Sequence, residues 1–459
     1  MTLWNLVQDS TQVVDRLAQL QSGLDIPFVE RLMGFVGLGT MIGIAVLMSA
    51  NRKRISWRLV GMGLVTQFIF GGLILKTDMG RAVFQFAGRV ITGLLGFSRE
   101  GAFFVFGNLI DSTIPVGIPG PDGALDTTAG FVAQTMSYFA FTVLPTIIFF
   151  SALMTVLYYV GAMQLVVKGI AWVMQKTLGT SGAETLSAAG NIFMGQTEAP
   201  LLIKPFVNSM TRSELMTVMV GGFATVAGGV LAAYVGLLQG YFPGIAAHLL
   251  AASVMNMPAG IVISKILQPE VGEPKTKGTL HVHVEKKETG IIDAAASGAG
   301  QGLQLALNVG AMLMAFIALV AMVDFGLGWL GGFVGQDQWS LQYLLGVALR
   351  PLVWLMGVPW QDAGTVGGLV GVKVGLNEFF AYIQFAGQIA ADTLQPRSAV
   401  ITTYALLGFA NFSSIAIQIG GIGGLAPDRR GEIAKLGLRA MIGGNLAAFM
   451  SASLAGMLV

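Results

Sequence analysis

No cysteine occurs in the 459 residues, so disulfides, thiolate metal sites and cysteine nucleophiles are excluded, while the redox compartment is left open. Charge is scarce as well. Only 11% of residues are charged against 54% hydrophobic, too little charge to cover a soluble protein of this size. The 26 basic and 24 acidic residues leave a net charge of +2, which gives no reason to expect nucleic acid as a partner. Met1 to Asp25 carries Asp9, Asp15 and Asp25 and lacks a basic start followed by an apolar core, so no removable signal peptide is expected there. Histidine is limited to His248, His281 and His283, which form no ligand set.

Long apolar runs are abundant. Runs above roughly 18 residues mean membrane-spanning helices, and eight are expected near 31–50, 57–75, 131–161, 213–239, 243–267, 302–323, 398–425 and 434–458. The lipid bilayer is therefore the solvent, and the 63 glycines inside these runs mark close helix approach or helix breaks. The basic clusters Arg52-Lys53-Arg54 and Arg429-Arg430 through Lys435 and Arg439 are expected in the cytoplasm by the positive-inside rule, with both termini outside. Threading then puts the polar loop 269–290, with Lys275, Lys277, Lys286 and Lys287, inside as well. Lys76, Arg81, Arg89 and Arg99 fit poorly, and Gly80 to Asp111 is read as an interfacial or external helix.

Four apolar stretches are too short or interrupted to be ordinary spans: 163–176, 181–206, 341–354 and 365–389. They are expected as interfacial helices and two re-entrant hairpins, because irregular backbone at membrane depth survives only where protein buries it or a watery cavity receives it. The order interfacial helix, hairpin with an acidic residue, broken span, further span occurs twice. The first copy holds Glu198 and then Gly222-Phe223-Ala224-Thr225; the second holds Glu378 and then Gly408-Phe409-Ala410-Asn411. An odd number of crossings between them makes this an inverted repeat, an arrangement that places substrate and ion near the membrane midplane. The expected fold is thus an all-α polytopic membrane protein.

In Gly195-Gln196-Thr197-Glu198-Ala199-Pro200 three polar side chains lie in apolar surroundings between two helix breakers. A carboxylate there costs several kcal/mol, roughly 3 on insertion scales, unless it faces a cavity or a partner. Glu198 either pairs structurally at the hairpin tip or contacts a ligand, and ligand contact is favoured. Glu378 poses the same problem. Lys373 lies five positions away, off the face where helical side chains meet, so a simple ion pair is disfavoured. A carboxylate accepts two neighbouring hydroxyls, as on a ribose. Asn191 with Thr225 and unwound carbonyls would form an oxygen shell suited to sodium, although each could equally make an ordinary interhelical hydrogen bond.

The strings at 195–200, Asn377-Glu378-Phe379 and Gly408 to Ser414 together resemble the concentrative nucleoside transporter family, over most of the chain from about Gly34 onward. The resemblance implies an inner-membrane homotrimer whose protomers import nucleosides by an elevator motion. It implies a scaffold part over 1–162, a transport-domain repeat over 163–267, a cytoplasmic loop and scaffold helix over 268–338, and a second transport-domain repeat over 339–459. Gln196, Thr197 and Glu198 would contact the base, Glu378, Asn411 and Ser414 the ribose, and Val230, Phe409 and Leu305 would give apolar contact. Co-transported sodium would be held by Asn191, Thr225 and the carbonyls of Met194 and Val226. Proton coupling is the alternative. A channel and a membrane enzyme using Glu198 and Glu378 as acid and base are the rivals, but no nucleophile or metal cluster accompanies the two acids. Gly298-Ala299-Gly300-Gln301-Gly302 superficially resembles a dinucleotide loop, but it precedes a spanning helix with no strand before it.

Overall fold

A computed structural model describes residues 28–111, 113–115, 118–119, 125–126, 132–134, 139–278, 288–336 and 338–458. The extreme N-terminus and His281, His283, Lys286 and Lys287 lie outside the described residues. Apolar runs become helices α1 (Phe28–Leu47), α2 (Trp57–Lys76) and α3 (Asp78–Phe106). Thr77 separates the last two, with extended backbone at φ −93° and a hydroxyl that caps α3. The amphipathic α3 buries Gly80, Gly88, Leu95, Ser98 and Ala102 and exposes Arg89 and Arg99. It was read as interfacial, yet with its extension to Ile110 it is also long and apolar enough to cross.

Proline- and glycine-rich sequence after α3 cannot continue a helix. Four short strands, β1 (Thr113–Pro115), β2 (Ile118–Pro119), β3 (Leu125–Asp126) and β4 (Val132–Gln134), pair as two antiparallel ribbons, β1 with β4 and β2 with β3. The span expected from residue 131 therefore starts later, with α4 (Phe139–Thr142) and α5 (Leu144–Tyr159).

The doubled order of elements is present. Repeat 1 comprises α6 (Ala162–Leu178), a hairpin of α7 (Gly182–Gly190) and a 3-10 limb (Ala199–Ser209), a span broken into α8 (Arg212–Ala224) and α9 (Gly228–Leu238), and α10 (Ile245–Leu267). After α11 (Ile291–Gly332), repeat 2 comprises α12 (Leu341–Leu355), a hairpin of α13 (Trp360–Gly375) and α14 (Glu378–Ala390), a span broken into α15 (Pro396–Leu406) and α16 (Phe412–Leu425), and α17 (Arg430–Leu458). The chain turns by 117° between α12 and α13.

Among the described residues seven helical segments are long and apolar enough to cross a bilayer, against the eight spans expected. The two tallies differ in membership: α3, expected to be interfacial, qualifies as a span, and the expected span 398–425 is interrupted, leaving α16 as a short apolar piece, while α1 with its 20 residues lies where the span 31–50 was expected. Burial sorts the spans: the most apolar windows of Arg212–Leu238 and Pro427–Leu458 are 89% buried, whereas that of Ile291–Gly332 is 17% buried. The broken span of repeat 1 and α17 are interior; α11 is peripheral.

At 42 residues, α11 is far longer than the expected 302–323 and swallows the Gly298–Gly302 string. That string is a packing face. A Cβ on Gly298 would come within 2.7 Å of the Ala152 Cα on α5, and one on Gly302 within 2.7 Å of the Ile148 Cα.

Interlocked caps fix the base of each hairpin. In repeat 1, Ser181 and Thr211 open α7 and α8 in capping boxes with Glu184 and Glu214. The Ser181 hydroxyl then donates to Glu214 at 2.5 Å, and Lys265 of α10 pairs with Glu184 at 2.7 Å. In repeat 2, Ser398 at the start of α15 donates to Asp362 of α13 at 2.6 Å.

Candidate functional site

The two broken spans meet at their breaks. Thr225, Val226 and Ala227 lie outside helix, and the Thr225 carbonyl accepts from the Phe409 amide at 3.2 Å. Gly408 permits the crossing: its φ is +121°, and a Cβ there would lie 2.6 Å from the Phe223 carbonyl oxygen. Each break is braced by an asparagine of the span that follows. Asn256 donates to the Ala224 carbonyl at 2.7 Å, and Asn445 donates to the Ala410 carbonyl at 2.9 Å. This matched bracing is independent support for the internal repeat.

Both hairpin tips point into this junction. The irregular tip of hairpin 1 docks through the Phe193 carbonyl, which accepts from Gly228 at 2.9 Å. Glu198 folds back to accept from the Gly195 amide, and it precedes the 3-10 limb. Hairpin 2 breaks only at Leu376 and Asn377, where the Asn377 side chain caps α14 by accepting from Phe380 at 2.8 Å. Glu378 becomes the first residue of α14, where the helix dipole favours a carboxylate.

Partners hold both Glu378 oxygens. Tyr234 donates to Oε1 at 3.1 Å and Asn411 to Oε2 at 2.7 Å. Asn411 is itself fixed, its Oδ1 accepting from the Ser414 amide at 2.9 Å as the cap of α16. The ring of Tyr234 stacks on Tyr382 at 4.1 Å, and the Tyr382 hydroxyl donates to the Thr403 carbonyl at 2.9 Å. Lys373 makes no ion pair with Glu378, as expected, though for another reason than helical phase. The helix ends between them, and the Lys373 ammonium donates to the Ala405 carbonyl at 2.9 Å.

One cavity of about 130 Å³ collects every residue singled out for substrate: Gln196, Thr197, Glu198, Val230, Leu305, Glu378, Phe409, Asn411 and Ser414. A second cavity of about 250 Å³ adjoins it, sharing Glu198, Ala227 and Leu305, and reaches Tyr158, Lys204, Glu288 and Gln301. Of the residues singled out for sodium, Met194 lines the second cavity, and Asn191, Thr225 and Val226 line neither. Asn191 is fully buried, and neither side-chain atom has a protein partner. Its Nδ2 lies 3.3 Å from where a Gly221 Cβ would stand, and the Gly221 carbonyl accepts from the Thr225 hydroxyl at 2.9 Å. Met194 and Val226 lie in non-helical backbone on either side. Among the described residues no group of three His, Asp or Glu side chains could hold a metal, and His248 is half-buried beside Tyr404 and lines neither cavity.

Tyr158, Tyr234 and Gln418 were missed from sequence. Tyr234 and Gln418 lie one helical turn beyond Val230 and Ser414, on the same helix faces.

Comparison with known proteins bears on the whole chain. Residues 36–109 match the family model described as Na+ dependent nucleoside transporter N-terminus, 140–240 that of nucleoside recognition, and 248–456 that of Na+ dependent nucleoside transporter C-terminus. An uncharacterized transporter of Haemophilus influenzae is 43% identical over 433 residues, covering 93% of this chain and 98% of the relative. Sodium/nucleoside cotransporter 1 of Rattus norvegicus is 40% identical over 444 residues, 94% of this chain but 64% of that longer protein. A structure of CNTnw in an inward-facing substrate-bound state superposes with a TM-score of 0.82 at 42% identity, covering 94% of this chain and 98% of that one. A CNTnw variant in an outward-facing state gives 0.84 at 42% identity over the same shares. The chain is therefore a multi-pass member of the concentrative, Na+-dependent nucleoside transporter family, whose members are transporters and not enzymes.

Proposed function

We propose that this chain is a sodium-coupled symporter that imports nucleosides across the inner membrane by elevator-type alternating access. The observation that carries it is the convergence of Glu198 and Glu378, one from each hairpin, on a single cavity between the breaks of two spans. The side chains of Gln196, Thr197 and Glu198 take the base, and Glu378, Asn411 and Ser414 the ribose. A carboxylate already oriented by Tyr234 and Asn411 keeps lone pairs for two adjacent hydroxyls. Val230, Leu305 and Phe409 supply the apolar walls.

Sodium travels with the nucleoside, held by Asn191, Thr225 and the carbonyls of Met194 and Val226. A buried amide without partners is costly unless something else satisfies it, and the Oδ1 of Asn191 with nearby carbonyls is a hard-oxygen donor set. One cation moving down the potential supplies about 2.3 kcal/mol per 100 mV, enough for severalfold to tens-fold accumulation of a neutral solute. The two repeats run oppositely through the membrane. The transport domain, residues 163–267 and 339–459, moves against a scaffold of 1–162 and 268–338, and three copies assemble with the basic loops in the cytoplasm and both termini outside. The exposed apolar face of the peripheral α11, with Leu307, Met314 and Phe325, suits lipid or a second copy.

Proteoliposomes test this directly. Labelled uridine or adenosine should accumulate saturably and unchanged under an inward sodium gradient. Accumulation driven by protons in sodium-free buffer would make the chain a proton symporter, non-saturating flux a channel, and chemically altered product an enzyme.

A further inference from the structure

The amide of Gln196 reaches the cavity, but what it presents there is set from behind. Gln418, on α16, is fully buried and does not line the cavity. Its Nε2 donates in two directions, to the Met219 carbonyl on α8 at 3.0 Å and to Gln196 Oε1 at 3.1 Å. A backbone carbonyl can only accept. Turning the Gln418 amide over would set its oxygen against that of Met219, so the nitrogen must face Met219 and Gln196. The atom of Gln196 that meets Gln418 must then be its oxygen, and its Nε2 is left for the cavity. The polarity of one carbonyl on repeat 1 is thus relayed, through a side chain of repeat 2, to the tip of hairpin 1.

The packing around this relay is tight. A Cβ on Gly222 would lie 2.9 Å from both Gln196 Cβ and Gln418 Nε2, and one on Gly421, one turn beyond Gln418, would lie 2.7 Å from the Thr197 methyl. The cost of the arrangement is visible too: Gln418 Oε1 is buried without a partner. A leucine would fill the same space without stranding an oxygen, so stability alone does not account for an amide here.

From this we infer that Gln418 is a positioning residue for base selectivity. It locks Gln196 as a hydrogen-bond donor, so the atom of the base meeting Gln196 must be an acceptor, a keto oxygen or an unprotonated ring nitrogen, and not an amino group. The inference rests on the nucleoside reading of the cavity. Sites built on fixed hydrogen bonds discriminate strongly, whereas an amide free to rotate matches either partner.

The test compares bases that exchange keto for amino groups, uridine with cytidine and inosine with adenosine, by competition in counterflow with the purified full chain in proteoliposomes. Wild type should separate at least one pair by about tenfold, the scale of one mispaired hydrogen bond. Gln418→Leu and Gln418→Met should each bring that ratio to within about threefold of one without lowering thermal stability. Gln196→Ala should give the same compressed ratio, and the double substitution Gln196→Ala with Gln418→Leu should add nothing, because residue 418 acts only through residue 196. A wild-type ratio near one, an unchanged ratio in both Gln418 variants, or additive effects in the double variant would overturn the inference. Absence of saturable nucleoside exchange in wild type would overturn the nucleoside reading instead.

Discussion

In repeat 1 the leading helix of the hairpin ends at Asn191, whose neutral amide reaches Gly221, the residue before Gly222-Phe223-Ala224. In repeat 2 the leading helix carries Lys373, whose ammonium reaches the carbonyls of Ala405 and Leu407, the latter just before Gly408-Phe409-Ala410. The two side chains thus address the same place in the repeated fold. One is a buried amide without a partner, the other a buried cation satisfied by the carboxyl end of a half-helix and lying 5.6 Å from the ring of Phe449. The bases of the hairpins differ in the same spirit. The hydroxyl comes from the hairpin and the acid from the span in repeat 1, and the reverse holds in repeat 2. Duplication preserved the geometry while the chemistry diverged: one half buries a lysine ammonium on backbone carbonyls, and the other buries a neutral amide without a partner.

The largest expected effect comes from removing the carboxylate that faces the junction. Glu378→Gln keeps the shape but replaces one acceptor oxygen by a donor, which either opposes Asn411 Nδ2 or, turned over, forces the Tyr234 hydroxyl to accept and leaves its proton without the carboxylate. Nucleoside uptake should fall by about 100-fold or more, since a site built for hydrogen bonds loses most when its buried groups are mispaired. Size-exclusion profiles of the purified protein should stay as in wild type. Uptake within a few fold of wild type would remove Glu378 from the ribose contact.

Second in size is Lys373→Met, which removes the fixed charge of repeat 2 and strands the carbonyls of Ala405 and Leu407. Each stranded buried group costs about 1–3 kcal/mol, so the thermal midpoint in detergent should drop by several degrees. An unchanged midpoint would mean that the ammonium does not support the break. Because methionine keeps the length and apolar volume of the lysine stem, the loss is assigned to the charge and its hydrogen bonds.

Much of this asymmetry was legible in sequence, and its limits have physical causes. Apolar run length located the spans, and polar residues beside glycine located the hairpin tips and breaks, because hydrocarbon tolerates such groups only around a cavity. Glu198 and Glu378, with the polar Gln196, Thr197, Asn411 and Ser414, fall on one cavity for that reason, while Val230, Leu305 and Phe409, which line it too, were named from the family resemblance. Two kinds of feature escaped. The packing role of Gly298 and Gly302 escaped because their partner, α5, is distant in sequence. Tyr234 and Gln418 escaped because each sits in an apolar helix where a single polar atom changes the mean character little, and only its partner, Glu378 or Gln196, reveals its task.

The smallest effect sharpens the comparison most. Asn191→Ala deletes the unpartnered amide of repeat 1 and leaves the Thr225 hydroxyl bonded to Gly221 and the Glu378 network untouched. Losing one neutral oxygen from an ion shell should raise the sodium concentration for half-maximal uptake by about tenfold, on the scale of one hydrogen bond's worth of interaction. Nucleoside affinity at saturating sodium should stay within about threefold, because in the proposed arrangement ion and solute would occupy separate groups and act on each other only through the state both favour. Sodium titration of uridine uptake at fixed membrane potential reads both quantities. If the sodium response were unchanged while uridine affinity fell, Asn191 would belong with the substrate residues, and the contrast with Lys373 would reduce to an amide and an ammonium that each brace a break.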